Sequence, residues 1–310
     1  MTISVASYLM GIPPGNKNPE KPKIIVNFIE GVWAAGDKGQ IVCDYDPVDT
    51  DVAVVQGFVH PGSKQGLHLT LRKQVFEKQK RDGKRSIIVD ANLFLYADKG
   101  NSNQFLRYSY DGVFPNTGEY CNDDPDPARW NLLSSRLGIK LKPLQKGGSN
   151  ILVCCQRDGG WSMNGQALMP WLVSTIQQIK KYTDKTIVIR FHPGDKGIIN
   201  HKRMLARYRL AHVHISSSDN ILDDFKNAHC VINYNSSPTI AAAIEGIPTI
   251  VLDPLTSQAA EVSHHSLTNI ENLQEFDREN WIHKMAQMHW TLSELKDGTA
   301  WKHLRKWAIK

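Results

Sequence analysis

The stretch INYNSSPTIAAAIEGIPTIVLDP, Ile232 to Pro254, decides the fold. An apolar run meets two serines and a proline, a short alanine-rich segment follows, Gly246 and Pro248 stop it, and a second apolar run begins. Ser237 is suited to cap a helix, Pro238 to occupy its first turn, and Gly246 to end it. The pattern therefore predicts strand, helix, strand. In a parallel sheet the start of such a helix lies at the carboxyl edge of the strands, where backbone N–H groups and the positive helix end favour an anion.

Working back from that unit, ILVCCQ, TIVIRF, HVHIS and CVINY read as strands, and MPWLVSTIQQIKKY, KRMLARYRL and NILDDFKNA as the helices between them. This alternation predicts an α/β, doubly wound parallel sheet. In the first half, KIIVNFI (Lys23 to Ile29), VAVVQGFV (Val52 to Val59) and RSIIVDANLF (Arg85 to Phe94) read as strands. LHLTLRKQVFEKQKRDGKR, between the last two, reads as a helix with a basic outer side. Tyr108 to Trp130 is too rich in Asp, Asn, Gly and Pro to be one regular element, and LKPLQKGGSN, Leu141 to Asn150, reads as a linker. Trp281, Trp290, Trp301 and Trp307 fall at helix-like intervals, which predicts C-terminal helices packing back across both halves. The expected division is residues 1–145, 146–275 and 276–310.

The bulk composition agrees with this division. The chain has 310 residues, 41% hydrophobic and 22% charged, enough for two domains of about 150 residues each. Its formal net charge of +6 permits a polyanionic partner such as nucleic acid. Five cysteines without CxxC spacing, three of them (Cys154, Cys155, Cys230) in apolar runs, read as reduced thiols of a cytoplasmic protein. No basic region precedes a long apolar run, and no apolar run approaches the roughly 20 residues of a membrane span. The expectation is a monomer that neither inserts into a membrane nor is exported.

Three loops follow three predicted strands and would emerge at one sheet edge. QRDGGWSMNG carries Arg157, which can grip phosphate bidentately, and Gly159 and Gly160, which let backbone approach a ligand. RFHPGDKG carries Arg190 and His192, and NSSP carries Ser236 and Ser237. A guanidinium, an imidazole, hydroxyls and a helix start together equip a diphosphate site. Glu245, at the far end of the short helix, is placed to reach a ribose hydroxyl or to stand in solvent.

The run from Asn150 to about Pro254, with its HP turn and SSPTIAAAIEGIPTIVL ending, resembles the nucleotide-sugar domain of GT-B glycosyltransferases. The resemblance implies two Rossmann-like domains facing a central cleft. It is nearest to the subgroup with HP and Ser-Ser motifs, which includes sialyltransferases and β-Kdo transferases. There the His and serines hold the donor phosphates, a role that falls here on His192, Ser236 and Ser237. That subgroup also has an acidic motif ending in Asp-Gly that supplies the general base of its inverting members. SYDGVF offers Asp111, although Tyr110 stands where those enzymes often have a second acidic residue. Asp37, in the loop EGVWAAGDKG, is the competing base.

For the acceptor side, Trp33 is a candidate stacking residue, and Arg81, Lys84 and Arg85, with the runs KLKPLQK and KHLRKWAIK, are candidate cations for DNA phosphates. In size, charge and architecture the chain also resembles bacteriophage glycosyltransferases that decorate hydroxymethylcytosine in DNA. The reading is a transferase moving a sugar from a nucleotide-sugar, UDP-sugar first, to a hydroxymethylated DNA base. A capsule or lipopolysaccharide glycan acceptor, with a UDP- or CMP-sugar, is the near rival. A UDP-sugar 2-epimerase and a non-catalytic DNA-binding protein are further alternatives. No metal is expected, because DPD at Asp124 to Asp126 is proline-locked and cations with a helix end can stabilise the leaving diphosphate.

Overall fold

A computed structural model describes residues 1–59, 66–145 and 147–309. Lys146 and Lys310, members of two of the basic runs, lie outside the described residues. The chain divides into two compact units, Met1–Leu137 with His283–Lys310, and Gly138–Ile282. The expected boundaries at 145/146 and 275/276 fall a few residues inside the second unit. The return to the first unit is made within the helix Glu279–Gln287.

In chain order the first unit contains β1 (Ser4–Tyr8), α1 (Glu20–Ala34), β2 (Lys38–Val42), β3 (Val52–Gln56), α2 (Leu67–Arg81), β4 (Arg85–Asp90), β5 (Leu106–Tyr110) and α3 (Pro127–Leu137). The second contains β6 (Asn150–Cys154), α4 (Leu168–Ile179), β7 (Thr186–Arg190), α5 (Ile198–Arg207), β8 (Val213–Ile215), α6 (Ile221–Phe225), β9 (Ala228–Asn233), α7 (Pro238–Ile244) and β10 (Thr249–Val251). The chain then passes through α8 (Glu279–Gln287) to β11 (His289–Trp290), α9 (Leu292–Lys296) and α10 (Thr299–Leu304).

KIIVNFI is not a strand. It forms the middle of α1, where Ile24, Ile25, Phe28, Ile29 and Val32 are buried at i, i+1, i+4, i+5 and i+8, a helix face rather than a two-sided strand. The strands of this region are instead SVASY and KGQIV, and β1 lies between β2 and β3. The sheet order is β11-β5-β4-β3-β1-β2. From β2 to β4 the pairs are parallel, but β5 runs antiparallel to β4, with Ile87 opposite Tyr110 and Asp90 opposite Arg107.

The second unit has the order β10-β9-β6-β7-β8, every pair parallel. The apolar residues of β6, β7 and β9 form one core with α4. The expected linker is tied down at its start: the Lys142 amide donates to the Ile244 carbonyl at 2.8 Å and the Gln145 amide to the Gly246 carbonyl at 2.6 Å. Gly246 has φ +82°, and a Cβ there would stand 2.0 Å from the Pro143 carbonyl oxygen, so the position requires glycine twice over. No described helix is long and apolar enough to cross a membrane.

Candidate functional site

The second sheet starts at β6, runs outward through β7 to β8, then returns to the other side of β6 as β9. The order therefore reverses between β6 and β9, and in open α/β sheets the crevice beyond the carboxyl ends at such a reversal is where ligands bind. Cys154 pairs with Arg190 on one side and with Asn233 on the other. From that shared rung, Gln156, His192 and Asn235 each lie two residues further along, Arg157 and Ser236 three. The three predicted loops do emerge together.

Arg157 and His192 meet there. The Gly194 amide donates to His192 Nδ1 at 2.9 Å, and Arg157 Nε approaches the same nitrogen at 3.4 Å. A backbone amide can only donate, so Nδ1 is the acceptor and a neutral ring carries its proton on Nε2. Burial, then the Arg157 charge, hold the His192 pKa below its ordinary value, while Asp195 opposes them. Neutral His192 therefore offers an N–H beside an exposed guanidinium. Gly194 makes room for this approach, since a Cβ there would stand 2.8 Å from Arg157 Nη2 and the guanidinium would have to shift.

Ser237 occupies the N-cap position of α7, but its side chain makes no capping hydrogen bond and is exposed. Its hydroxyl is thus left for another partner. Ser236 is more constrained, because Asn233 Nδ2 donates to its carbonyl at 2.7 Å and to its Oγ at 3.1 Å. Gly159, with φ +64°, turns the loop after β6, and the Gly160 amide closes it on the Arg157 carbonyl at 3.3 Å.

Sequence reasoning missed the amides that fix these loops. Gln156 Nε2 donates to Asn235 Oδ1 at 2.8 Å and to Ser162 Oγ at 2.9 Å, while Asn235 Nδ2 donates to the Ser162 carbonyl at 2.9 Å. The loops after β6 and β9 are thereby stitched together. His201 on α5 does the same for the loops after β6 and β7: its Nδ1 lies 2.7 Å from Asp195 Oδ2 and its Nε2 3.4 Å from Asp158 Oδ2. The available signal was positional, since Gln156 and Asn235 each closely follow an apolar strand.

Two expected donor contacts are committed elsewhere. Arg190 Nη1 is 2.5 Å from Asp224 Oδ2, and its remaining bonds go to the Ser218 and Asp219 carbonyls, so it braces the loop after β8. Glu245 is buried at the amino edge of the sheet, paired with Lys142. It holds the connecting segment and does not stand at the carboxyl edge where a ribose would lie.

The first-unit candidates gather at the amino edge of the parallel strands of their own sheet. Because β5 is antiparallel, its end carries Asp111 to the amino edge of the parallel strands, where the carboxylate accepts from Arg85 Nε and the Ser86 amide, both at 2.9 Å. Asp37 precedes β2 at the same edge, held by Arg305 Nε at 2.5 Å and by the Ile3 amide and the Trp301 indole N–H, each at 2.9 Å. Burial raises its pKa, but these donors outweigh burial and leave it below the usual carboxylate range. Such a group is a poor proton acceptor.

Trp33, on the last turn of α1, is exposed but donates its indole N–H to the Gly39 carbonyl at 3.0 Å. Arg81 pairs with Asp82 at 3.1 Å and Lys84 with Asp49 at 2.5 Å. Arg85 is buried between Asp111, the Trp307 carbonyl and the ring of Tyr110. The basic side of this region is thus largely neutralised by neighbouring carboxylates. Asp37→Asn is accordingly expected to lower unfolding stability by about 1–2 kcal/mol, the cost of weakening the charge-assisted bonds of a buried carboxylate whose partner Arg305 is itself 38% exposed. Chemical denaturation would measure it. An unchanged stability curve would return Asp37 to the list of catalytic candidates.

No family model matches the chain, and no curated protein does. Solved structures do, and two of them show the likeness over nearly the whole chain. The β-Kdo 2,4 transferase of Thermosulfurimonas dismutans KpsC is 13% identical with a TM-score of 0.56, over 92% of this chain and 90% of that one. The β-Kdo 2,7 transferase of the same organism's KpsC is 12% identical with a TM-score of 0.53, over 96% and 99%. At this identity the likeness is one of fold: mixed α/β with two Rossmann-like units, as in the GT-B class.

Proposed function

We propose that this chain is a glycosyltransferase whose second unit binds a nucleotide-sugar through the diphosphate, with Arg157, His192, Ser236 and Ser237 as the phosphate contacts. One observation carries the reading: a free guanidinium and an imidazole N–H converge at the carboxyl edge beside the topological reversal. As the bond to the sugar breaks, negative charge grows on the leaving phosphate. Donors already fixed around that position stabilise it more than they stabilise the intact donor. Here the Gly194 amide fixes the ring of His192, and the Gln156–Asn235 pair fixes the loops.

UDP-sugar is the donor of this proposal and a hydroxymethylated base in DNA its acceptor. The fold likeness to β-Kdo transferases favours a second acceptor, a glycan. The test is mass spectrometry of nucleosides after incubation with hydroxymethylcytosine DNA, unmodified DNA as control, and a panel of UDP- and CMP-sugars. A sugar mass gained only by the hydroxymethylated base is the expected outcome. Donor bound or hydrolysed with no nucleoside modified would move the acceptor to a glycan. Interconversion of a UDP-sugar alone would replace transfer by epimerisation, and no nucleotide binding at all would remove the donor site.

A further inference from the structure

We propose that the outer face of α5, with the end of α4, is a docking surface for the phosphate backbone of duplex DNA. Residues 180–209 carry nine Lys and Arg against two Asp, a surplus of seven in a chain whose formal net charge is +6. The positive charge of the molecule is therefore concentrated in this segment of the second unit.

The cations here are of two kinds. Lys180 donates to the Ala211 carbonyl, Lys185 pairs with Glu271 and Arg190 with Asp224. Lys181, Lys196, Lys202, Arg203, Arg207 and Arg209 are exposed, and among the described residues none has a carboxylate partner. Asp195, the nearest acid in sequence to Lys196, is buried on His201. Elsewhere several surface cations are paired, as in Lys73–Glu77, Lys78–Asp82, Lys84–Asp49 and Lys226–Asp223, and exposed cations that are not paired among the described residues, such as Lys17, Lys38, Lys99 and Arg136, lie far apart along the chain instead of gathering on one segment. A favourable helix-end charge would account for Arg207, but not for Lys196, Lys202 and Arg203 nearer the start of α5.

The layout suits a phosphate track. Lys196 follows the His192 turn, Arg203 and Arg207 continue along α5 on the side away from the buried His201 and Leu205, and Lys202 stands on its flank. A ten-residue helix is about 15 Å long, roughly four phosphates of one DNA strand. Arginine's planar fork matches phosphate oxygens. Tyr182 and Tyr208, 42% and 50% exposed, flank the track. A bilayer surface is the poorer fit: Ile199 and Met204, 64% and 41% exposed, are the large apolar residues that α5 presents among its cations, and five residues apart they do not form the continuous apolar stripe that an interfacial helix inserts. Joined to the transfer reading, on which its catalytic meaning rests, this surface supplies the grip on DNA that the neutralised first-unit cations do not.

The experiment is fluorescence anisotropy of a labelled 20-base-pair duplex with the full chain at several NaCl concentrations, beside calorimetry with UDP-sugars. Binding at 50 mM NaCl is expected, with log K against log salt falling at a slope of about −4. The triple variant Arg203→Glu, Arg207→Glu, Arg209→Glu should bind at least tenfold more weakly, with the slope reduced by about 3. Neutral Gln at the same positions should give a smaller loss in the same direction, and Arg81→Glu should change nothing. Absence of binding at 50 mM NaCl, an unaltered triple variant, an equal loss in Arg81→Glu, or binding to phosphatidylglycerol vesicles but not to DNA would each overturn the inference. DNA binding without nucleotide binding would sink the donor reading alone, and nucleotide binding without DNA binding would sink this inference alone.

Discussion

Arg157→Ala is expected to weaken binding of a nucleoside diphosphate or nucleotide-sugar about 30-fold, and to slow turnover by at least as much. A charge-assisted hydrogen bond is worth about 1.5–3 kcal/mol, and each 1.4 kcal/mol is tenfold in affinity. Arg157 is exposed, and among the described residues its side chain makes only the long bond to His192, so the fold should survive its removal. The substitution has a second readout. Burial is the larger cause of the low His192 pKa and the Arg157 charge the next, so Arg157→Ala should move the His192 titration part of the way back toward 6.5, visible by NMR. Unchanged nucleotide affinity together with an unmoved titration would remove the phosphate assignment and the contact behind it. His192→Ala should also weaken binding, with less than additive effect in the double variant, because the two side chains share one site.

Acid should unfold the first unit in a way that depends on a single imidazole. His289 is fully buried, accepts from the Leu93 amide at Nε2 at 3.2 Å and donates from Nδ1 to the Met285 carbonyl at 2.7 Å. A second proton has nowhere to go, since Nε2–H would face Leu93 N–H. Burial first, with the Arg107 and Arg129 charges, lowers its pKa to about 3 against the opposing Met285 bond. In the unfolded chain the ring titrates near its ordinary 6.5, so the unfolded state gains a proton first as pH falls. The stabilisation is whole above about pH 6.5 and is progressively lost below it, by about 3 kcal/mol at pH 4. Urea denaturation from pH 7 to pH 4 would measure the slope. His289→Gln, less stable at pH 7, should lose about 3 kcal/mol less over that range, and identical slopes in the two proteins would refute the assignment.

Unit 2 was legible because β6, β7 and β9 are apolar for most of their length and each is followed by a recognisable helix, so period and punctuation agreed. The same agreement placed Arg157, His192, Ser236 and Ser237 at one edge. In unit 1 the signals conflicted. KIIVNFI is a helix whose inward face is contiguous in sequence for two short runs, and SVASY and KGQIV are too short and too polar to announce themselves. Asp111 directly follows β5, whose sequence LRYSY does not read as an apolar strand, and β5 runs against β4, a direction that leaves no trace in a hydrophobic pattern. That one reversal moved Asp111 to the opposite edge. Arg190 and Glu245 were misplaced for another reason: a cation or carboxylate reads the same in sequence whether it faces a ligand or a partner, and Asp224 and Lys142 lie far from them along the chain.

The first unit is discontinuous, closed by residues 283–310 after the whole of the second has been made. β11 pairs with β5, Trp301 and Arg305 reach Asp37, and the Tyr110 hydroxyl donates to the Leu304 carbonyl. On the ribosome, therefore, the portion synthesised first cannot finish first. It must wait, with the edge of β5 bare and Asp37 unpaired, while the continuous unit behind it folds in a single stretch. A nascent chain stalled just short of residue 283 would carry one finished half and one that is still waiting for its last strand.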